Sequence, residues 1–539
     1  ADTHIHSRNS IDSPMRLGER VRSIAAEHVE WAVSTDHNYI TDFAPFIIEN
    51  HLERFLFSSI GLEMTTLESG HFNGYPLSYQ VGPVTHGSFQ WGAQPPDVIF
   101  QRLRELGRFG STNTLIQVNH PRDQILGYFS QYDRHGLTME EIPATTLTTQ
   151  LVKPSGPAFR KEPGNPASET TFSFNFDLLE VVNGKLFWEI RHYRSPEVLP
   201  PGEVPDNLPP PGTLLLEADG GDVAFPGVVD DWFNLLNLGY KFIGVGTGDS
   251  HSGDDEAGQF RTMVFVGKDD PQEVTELDMV QGLRSRRVLM TNGPMLDFYI
   301  NDPVKGVMGQ TLSTTEPSVQ LHYKLSAAPW IRVDFLNIWR NGILAARINV
   351  DPNRDLAAQP LEDSITLELD QRTGSARDSW FVVEAISSTS MFPVVLPTEL
   401  PPLVLTDAVA SLAGPLGLGG DEFGSVRPAE TFAVVPYALT NPVWITTEAG
   451  RDFQPPGVLS VEEQRSPTND PGFQRIFDQQ NAAIKIARKV PIKAESRPGE
   501  LVQKKGRRRR TGLFYPDADN PYDWRKVLIR MGYGHGHSE

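Results

Sequence analysis

Along the first part of the chain, short apolar runs end in polar clusters and alternate with stretches of helical periodicity. The amphipathic "MRLGERVRSIAAEHV" leads into "EWAVSTDHN", a β-branched run with a polar end. The helical "PPDVIFQRLRELGRFG" leads into "TLIQVNHPR", and "FDLLEVVNGK" and "YKFIGVGTGDSHS" repeat the theme. Strand, polar tip, helix is the grammar of a βα barrel or a doubly wound sheet, folds whose chemistry sits at the carboxyl ends of the strands. All four tips carry His, Asp, Glu or Asn.

From about residue 291 the pattern changes. "PMLDFYIN", "SVQLHYKLSA", "IRVDFLNIWRNG", "SITLELD" and "SWFVVEAIS" alternate apolar and polar positions between turn residues, which predicts an antiparallel β-sandwich to about 450. The expected organisation is a first domain of the βα type over 1–290, the sandwich over 291–450 and an extended charged tail over 451–539. A Pro-, Thr- and Ser-rich insert occupies about 138–213 and includes "PEVLPPGEVPDNLPPPG". In the tail, residues 485–510 hold 11 basic and 2 acidic residues, and the chain ends "HGHSE" with His535 and His537. No internal repeat is found.

Composition narrows the chemistry. A formal charge of −20 argues against nucleic-acid binding overall, and no run approaches the roughly 18 apolar residues of a membrane span. The absence of cysteine removes disulfides, thiolate catalysis and Cys-based zinc sites. It also fits a secreted or periplasmic protein. The abrupt start at "ADTHIHS" leaves no room for a full first strand, so residues are expected upstream.

His4 and His6 are one residue apart, and in a strand both face the same way. One such pair proves little, but the later tips supply partners. In order they are Asp12, His37, Glu63, His71, His120, Asp249 and His251. These nine nitrogen and oxygen donors, with no sulfur, suit Zn, Mn or Fe, and are about right for two or three ions sharing bridging carboxylates. Glu180 and Asn183, at the end of "LLEVVNG", are expected to support ligands rather than to bind. His28, His51, His86, His135, His192 and His322 lack a partner motif.

With these motifs in order, the chain resembles the PHP (polymerase and histidinol phosphatase) superfamily of metallohydrolases. The matching elements are D-x-H-x-H-S from Asp2, the acidic Asp12, T-D-H ending at His37 and G-x-E ending at Glu63. Gly70-His71, His120-Pro121 and G-D-S-H ending at His251 complete the set. "EVVNGK" and "TNGP" look closer to the CehA/McbA-like branch. The resemblance implies a distorted (β/α)7 barrel with a di- or trinuclear metal site. It also implies a division in which His4, His6, Glu63 and Asp249 hold one ion, Glu63, His71 and His120 a second, and Asp12, His37 and His251 a third.

Such ions would activate water, so no Ser or Cys nucleophile is needed. For a phosphoester, mono- or diester, Arg122 and Lys185 are the candidates to offset developing charge, and His37 or Asp12 could serve as the acid for the leaving group. The expected partner is a small-molecule ester, anionic in the phosphoester case. Carboxylic or carbamate esters are the alternative substrates. An exported binding or assembly protein with a structural metal site is the alternative of another class. A protein partner would be met through the sandwich or the basic tail.

Overall fold

The computed structural model describes residues 1–140, 171–190, 227–370, 377–399 and 431–459, apart from positions 67, 68, 93, 124, 125, 133, 135, 137, 138, 254 and 388. It also describes the short strands Tyr193–Arg194, Leu216–Ala218 and Asp222–Phe225. Most of the 138–213 insert and the whole tail beyond 459, with its basic run, His535 and His537, lie outside the described residues.

The chain is a mixed α/β protein of several sheets and few helices. Eight strands carry the predicted strand-tip residues: β1 (Asp2–Ile5), β2 (Trp31–Ser34), β3 (Phe57–Ile60), β4 (Leu62–Thr65), β5 (His71–Tyr75), β6 (Leu115–Val118), β7 (Leu178–Asn183) and β8 (Ile243–Thr247). They form two sheets. One is the parallel set β1-β2-β3, and the other runs β8-β7-β6-β5-β4. In the second sheet β6, β7 and β8 are parallel, while β5 is antiparallel to both β4 and β6.

Among the described residues no closed barrel is formed, in contrast to the (β/α)7 expectation. The physical reason lies in residues 57–75, where β3, β4 and β5 follow one another with no helix between them, so the βα alternation breaks. The two sheets meet instead at isolated parallel bridges, Ile5 with Ser250 and His37 with Glu63. At these points the His6 N–H donates to Ser250 O at 2.9 Å and the Asn38 N–H to Glu63 O at 2.8 Å.

Two helices turn one apolar face towards the strands. In α1 (Leu17–Ala26), Val21 and Ile24 are buried against Ile5 and Phe43. In α2 (Pro96–Glu105), proline opens the helix where its missing N–H costs nothing, and Ile99, Phe100 and Leu103 are fully buried. Burial of each such side chain contributes about 1.5–3 kcal/mol. No helix among the described residues is long and apolar enough to cross a membrane.

The later strands form two sheets that share one apolar cluster. The larger contains Phe335–Arg340, Ile343–Asn349, Ser379–Ile386, Tyr437–Thr440 and Val443–Thr446, and the smaller contains Met295–Ile300, Ser318–Ser326 and Leu361–Glu368. Strict alternation along Ser318–Ser326 sends Val319, Leu321, Tyr323 and Leu325 inward, against Phe298, Ile338 and Phe381. Two strands from before residue 291, Arg261–Val264 and Val288–Thr291, also belong to the larger sheet. Thr262 ties that sheet to β8, its hydroxyl accepting from the Gly246 N–H at 3.0 Å. Asn441 does the same through both the N–H and the carbonyl of Gly244.

Candidate metal centre

All nine predicted ligands meet where the two sheets meet. β1 carries His4 and delivers His6, β4 carries Glu63 and β5 begins with His71, while His37, His120, Asp249 and His251 follow β2, β6 and β8. Asp12 comes from the loop after β1. It is the most exposed of the set at 49 %, which places it on the solvent side.

Glu63 is the hub. Its Oε1 lies 3.1 Å from His71 Nδ1, 3.2 Å from His4 Nε2 and 3.6 Å from His120 Nε2, and its Oε2 lies 2.5 Å from His37 Nδ1 and 3.6 Å from His6 Nε2. Asp249 is a second hub, with Oδ1 3.3 Å from both His4 Nε2 and His6 Nε2. The shared carboxylate shows that His4 and His6 do point the same way. Asp12 Oδ2 stands 3.2 Å from His37 Nε2 and 3.4 Å from His251 Nε2.

These atoms form four overlapping triplets that can hold metal ions: His6-His37-His251, His4-His6-Asp249, His4-Glu63-His120 and His37-Glu63-His71. The donors fit that use. Buried ring nitrogens of His4, His6 and His71 (each Nε2) and of His120 (Nδ1) have no hydrogen-bond partner among the described residues. Unpaired buried polar atoms are costly, and the Nε2 atoms of His4 and His6, each within 3.6 Å of both Glu63 and Asp249, are placed as a cation site requires.

The surroundings select the ligand form of the rings. His4 Nδ1 donates to Glu180 Oε1 at 2.7 Å, and His6 Nδ1 donates to Ser10 Oγ at 2.9 Å, whose own hydrogen goes to Asp36 Oδ1 at 2.8 Å. His251 Nδ1 donates to Asp249 O at 2.8 Å. In all three the proton is therefore assigned to Nδ1, leaving the Nε2 lone pair facing the centre.

Glu180 also accepts from the His120 N–H at 2.5 Å, from Asn183 Nδ2 at 3.0 Å and from the Thr247 hydroxyl. Asn183 reaches Asp249 Oδ2 at 3.1 Å, and Asn119 reaches Glu63 Oε1 at 2.9 Å. Replacing Glu180 with Gln is expected to weaken metal affinity by roughly 10–100-fold, measured by competition with a chromogenic chelator.

Charge state follows the same geometry. Burial works against ionisation of Glu63, but the neighbouring His37, His71 and His4 outweigh it and hold the carboxyl well below its usual range. Asp249 is likewise kept ionised against its burial by His4 and Lys185. His6 is pushed down by burial and by His251, which keeps it neutral. Two of the predicted ligands adopt left-handed backbone, His120 at φ 23° and Asp249 at φ 53°, a strain that concentrates at functional sites.

Asp2 binds no ring. Its fully buried carboxylate accepts from the N–H groups of His4, Gly248 and Gly258 at 3.1, 3.2 and 2.7 Å and so fastens β1 to the turn after β8. Burial pushes its pKa up to about 6 despite these bonds. A Cβ on Gly248 would lie 2.8 Å from Asp2 Oδ2, so a larger residue there would push against the carboxylate that fastens the turn.

The two basic candidates part company. Lys185 is exposed, yet its Nζ stands 3.3 Å from His251 Nδ1 at the edge of the centre. Arg122 is buried, and both ends of its guanidinium are taken. Nε and Nη2 meet Asp231 Oδ2 and Oδ1 at 2.6 and 2.7 Å, and Nη1 donates to Arg134 O at 2.8 Å. Glu180 and Asn183 take the supporting positions expected of them, whereas Ser10, Asp36, Asn119 and Thr247 were not singled out. Three of these four sit inside or beside a ligand motif, Asp36 in T-D-H, Asn119 before His120 and Thr247 before G-D-S-H, and that adjacency was the available signal.

No family model, no curated protein and no solved structure matches this chain.

Proposed function

We propose that the chain is a metal-dependent hydrolase of the PHP type that acts on a phosphoester. The observation that supports this most directly is the convergence of six imidazoles on the Glu63 and Asp249 carboxylates, with the unpartnered Nε2 atoms of His4 and His6 facing both. In this reading the two sheets are the halves of a distorted barrel joined at the Ile5 and His37 bridges. His4, His6, Glu63 and Asp249 hold one ion, Glu63, His71 and His120 a second, and Asp12, His37 and His251 a third.

Bound divalent ions would supply Lewis acidity and bring the pKa of water towards neutrality. The chain's own groups do the rest. Glu180, Ser10 and Asp36 hold the imidazole tautomers, and Asn119 and Asn183 orient the two carboxylates. Lys185, on the exposed side beside His251, offsets charge on an anionic substrate. Asp12 Oδ2 and His37 Nε2 stand 3.2 Å apart at the solvent-facing rim, so with the third position empty either could pass a proton to a leaving group, and with it filled both would be ligands instead.

A second reading, hydrolysis of a carboxylic or carbamate ester, draws on the engagement of Arg122 with Asp231. That pairing leaves Lys185 as the basic candidate at the centre, a weak provision for a phosphate dianion.

Elemental analysis of the protein purified without chelators, combined with assays on chromogenic phosphomonoesters, phosphodiesters and carboxylic esters, tests both. Two to three equivalents of Zn, Mn or Fe are expected, with His120→Ala lowering metal content and abolishing turnover while the fold survives. Turnover of carboxylic esters alone would select the second reading. Full metal content with no turnover of any ester would favour a binding or assembly protein with a structural site.

A further inference from the structure

A second charged site lies at the opposite ends of the strands that carry the metal centre. A cavity of about 330 Å3 is lined by Phe176, Asp177, Lys241, Phe242, Arg284 and Arg286. Asp177 precedes β7, and Lys241 and Phe242 precede β8, whereas Asn183 and Asp249 stand at or beyond the far ends of those strands. At roughly 3.3 Å per residue, one strand length of about 15–20 Å separates the two places.

Three cations line this cavity with one carboxylate, and that carboxylate is engaged. Asp177 Oδ2 accepts from Arg104 Nη2 and from the Ile116 N–H, both at 2.9 Å, while Oδ1 lies 3.9 Å from Arg284 Nη1. Arg286 directs Nε to Lys241 O at 2.8 Å and Nη1 to Arg284 O at 3.3 Å, so it meets carbonyls rather than a counter-charge. Lys241 Nζ has no hydrogen-bond partner among the described residues and stands 4.8 Å from the Trp444 ring centre. Arg284 Nε and Arg104 Nη1 are buried donors without a partner among the described residues.

The cations repel one another. After burial, the next influence lowering the Lys241 ammonium is Arg286, and the next lowering Arg286 is Arg284. Asp452 acts on Lys241 and Asp177 on Arg286 in the opposite sense, without cancelling the shift. In a chain of net charge −20, such a gathering of cations is stabilised by an anion that takes their free donors.

The geometry points to a phosphate-binding site here, distinct from the metal centre and independent of the function proposed for it. Phe176 and Phe242, stacked with centroids 4.0 Å apart, form an apolar wall beside the cations. The ligand is therefore inorganic phosphate or the phosphate group of a small organic molecule that lies against that wall.

Calorimetric titration of the full-length protein with inorganic phosphate tests this, both as purified and after metal removal by chelation and dialysis. One saturable site that persists after metal removal is expected. Lys241→Met and Arg284→Gln should each weaken it roughly tenfold while metal content stays unchanged. A nucleoside monophosphate run in parallel separates the sources, since tighter binding than inorganic phosphate identifies an organic phosphate and equal binding identifies phosphate itself. If a variant fails to fold, the melting midpoint of the wild type decides. Phosphate should raise it after metal removal, and chloride at equal ionic strength should not. No saturable phosphate binding after metal removal, or binding unchanged by both substitutions, overturns the assignment.

Discussion

Glu63→Gln is expected to strip the centre of at least one ion per chain and to lower any hydrolytic turnover by on the order of 10²-fold or more. The substitution keeps the shape of the side chain and removes only its charge, so the effect reports electrostatics rather than packing. Five imidazoles lie within 2.5 to 3.6 Å of the two Glu63 oxygens. A neutral amide offers an ion one uncharged carbonyl oxygen, and its NH2 group donates to ring lone pairs that would otherwise be free for metal. His120→Ala, by contrast, removes one donor at the edge and leaves both carboxylate hubs in place. Elemental analysis of the two variants side by side should show the larger metal loss in Glu63→Gln. Equal losses would mean that Glu63 is not the shared ligand.

The largest stability effect is expected at the pair between Arg122 and Asp231. Both side chains are buried and joined by two charge-assisted hydrogen bonds of 2.6 and 2.7 Å. Asp231→Asn leaves a buried guanidinium without its counter-charge, which costs about 3–5 kcal/mol. The paired replacement Arg122→Met with Asp231→Leu removes both charges and should recover most of the loss. Differential scanning calorimetry checks the stability order, wild type and double variant above the single. The same double variant tests the role of Arg122. If turnover per folded molecule is retained, the arginine holds structure, and a large loss would return it to the reaction.

The contrast between these two sites explains what could be seen in the sequence. His37, His120, Asp249 and His251 each stand in a short polar cluster at the end of an apolar run, while His4 and His6 mark themselves by their spacing and His71 by its place in Gly70-His71, so residue type and place together identify them. Glu180 stands out differently, as a lone acid inside the apolar run "LLEVV". Arg122 was chosen because it follows His120-Pro121, yet its partner is 109 residues away on the helix Val228–Asn237, and nothing local announces that pairing. Long-range choice also decided the fold. The run from 57 to 75 contains three short strands whose pairing, not their composition, makes two of them antiparallel. Arg261–Val264 and Val288–Thr291 could have completed either layer. Backbone hydrogen bonds place them in the larger sheet of the later half.

The bonds between β1 and the turn after β8 also impose an order of events during synthesis. His4 O accepts the Asp249 N–H, the His6 N–H reaches Ser250 O, and Asp2 collects the Gly248 and Gly258 N–H groups. At about 5–20 residues per second, the ribosome needs roughly 12–50 s between making His4 and making Asp249. Throughout that interval the first two histidines have no carboxylate hub at Asp249 to complete their site. Completion of the His4-His6-Asp249 triplet is therefore a late event in the life of each new chain, and its closure reports that two distant parts of the sequence have met.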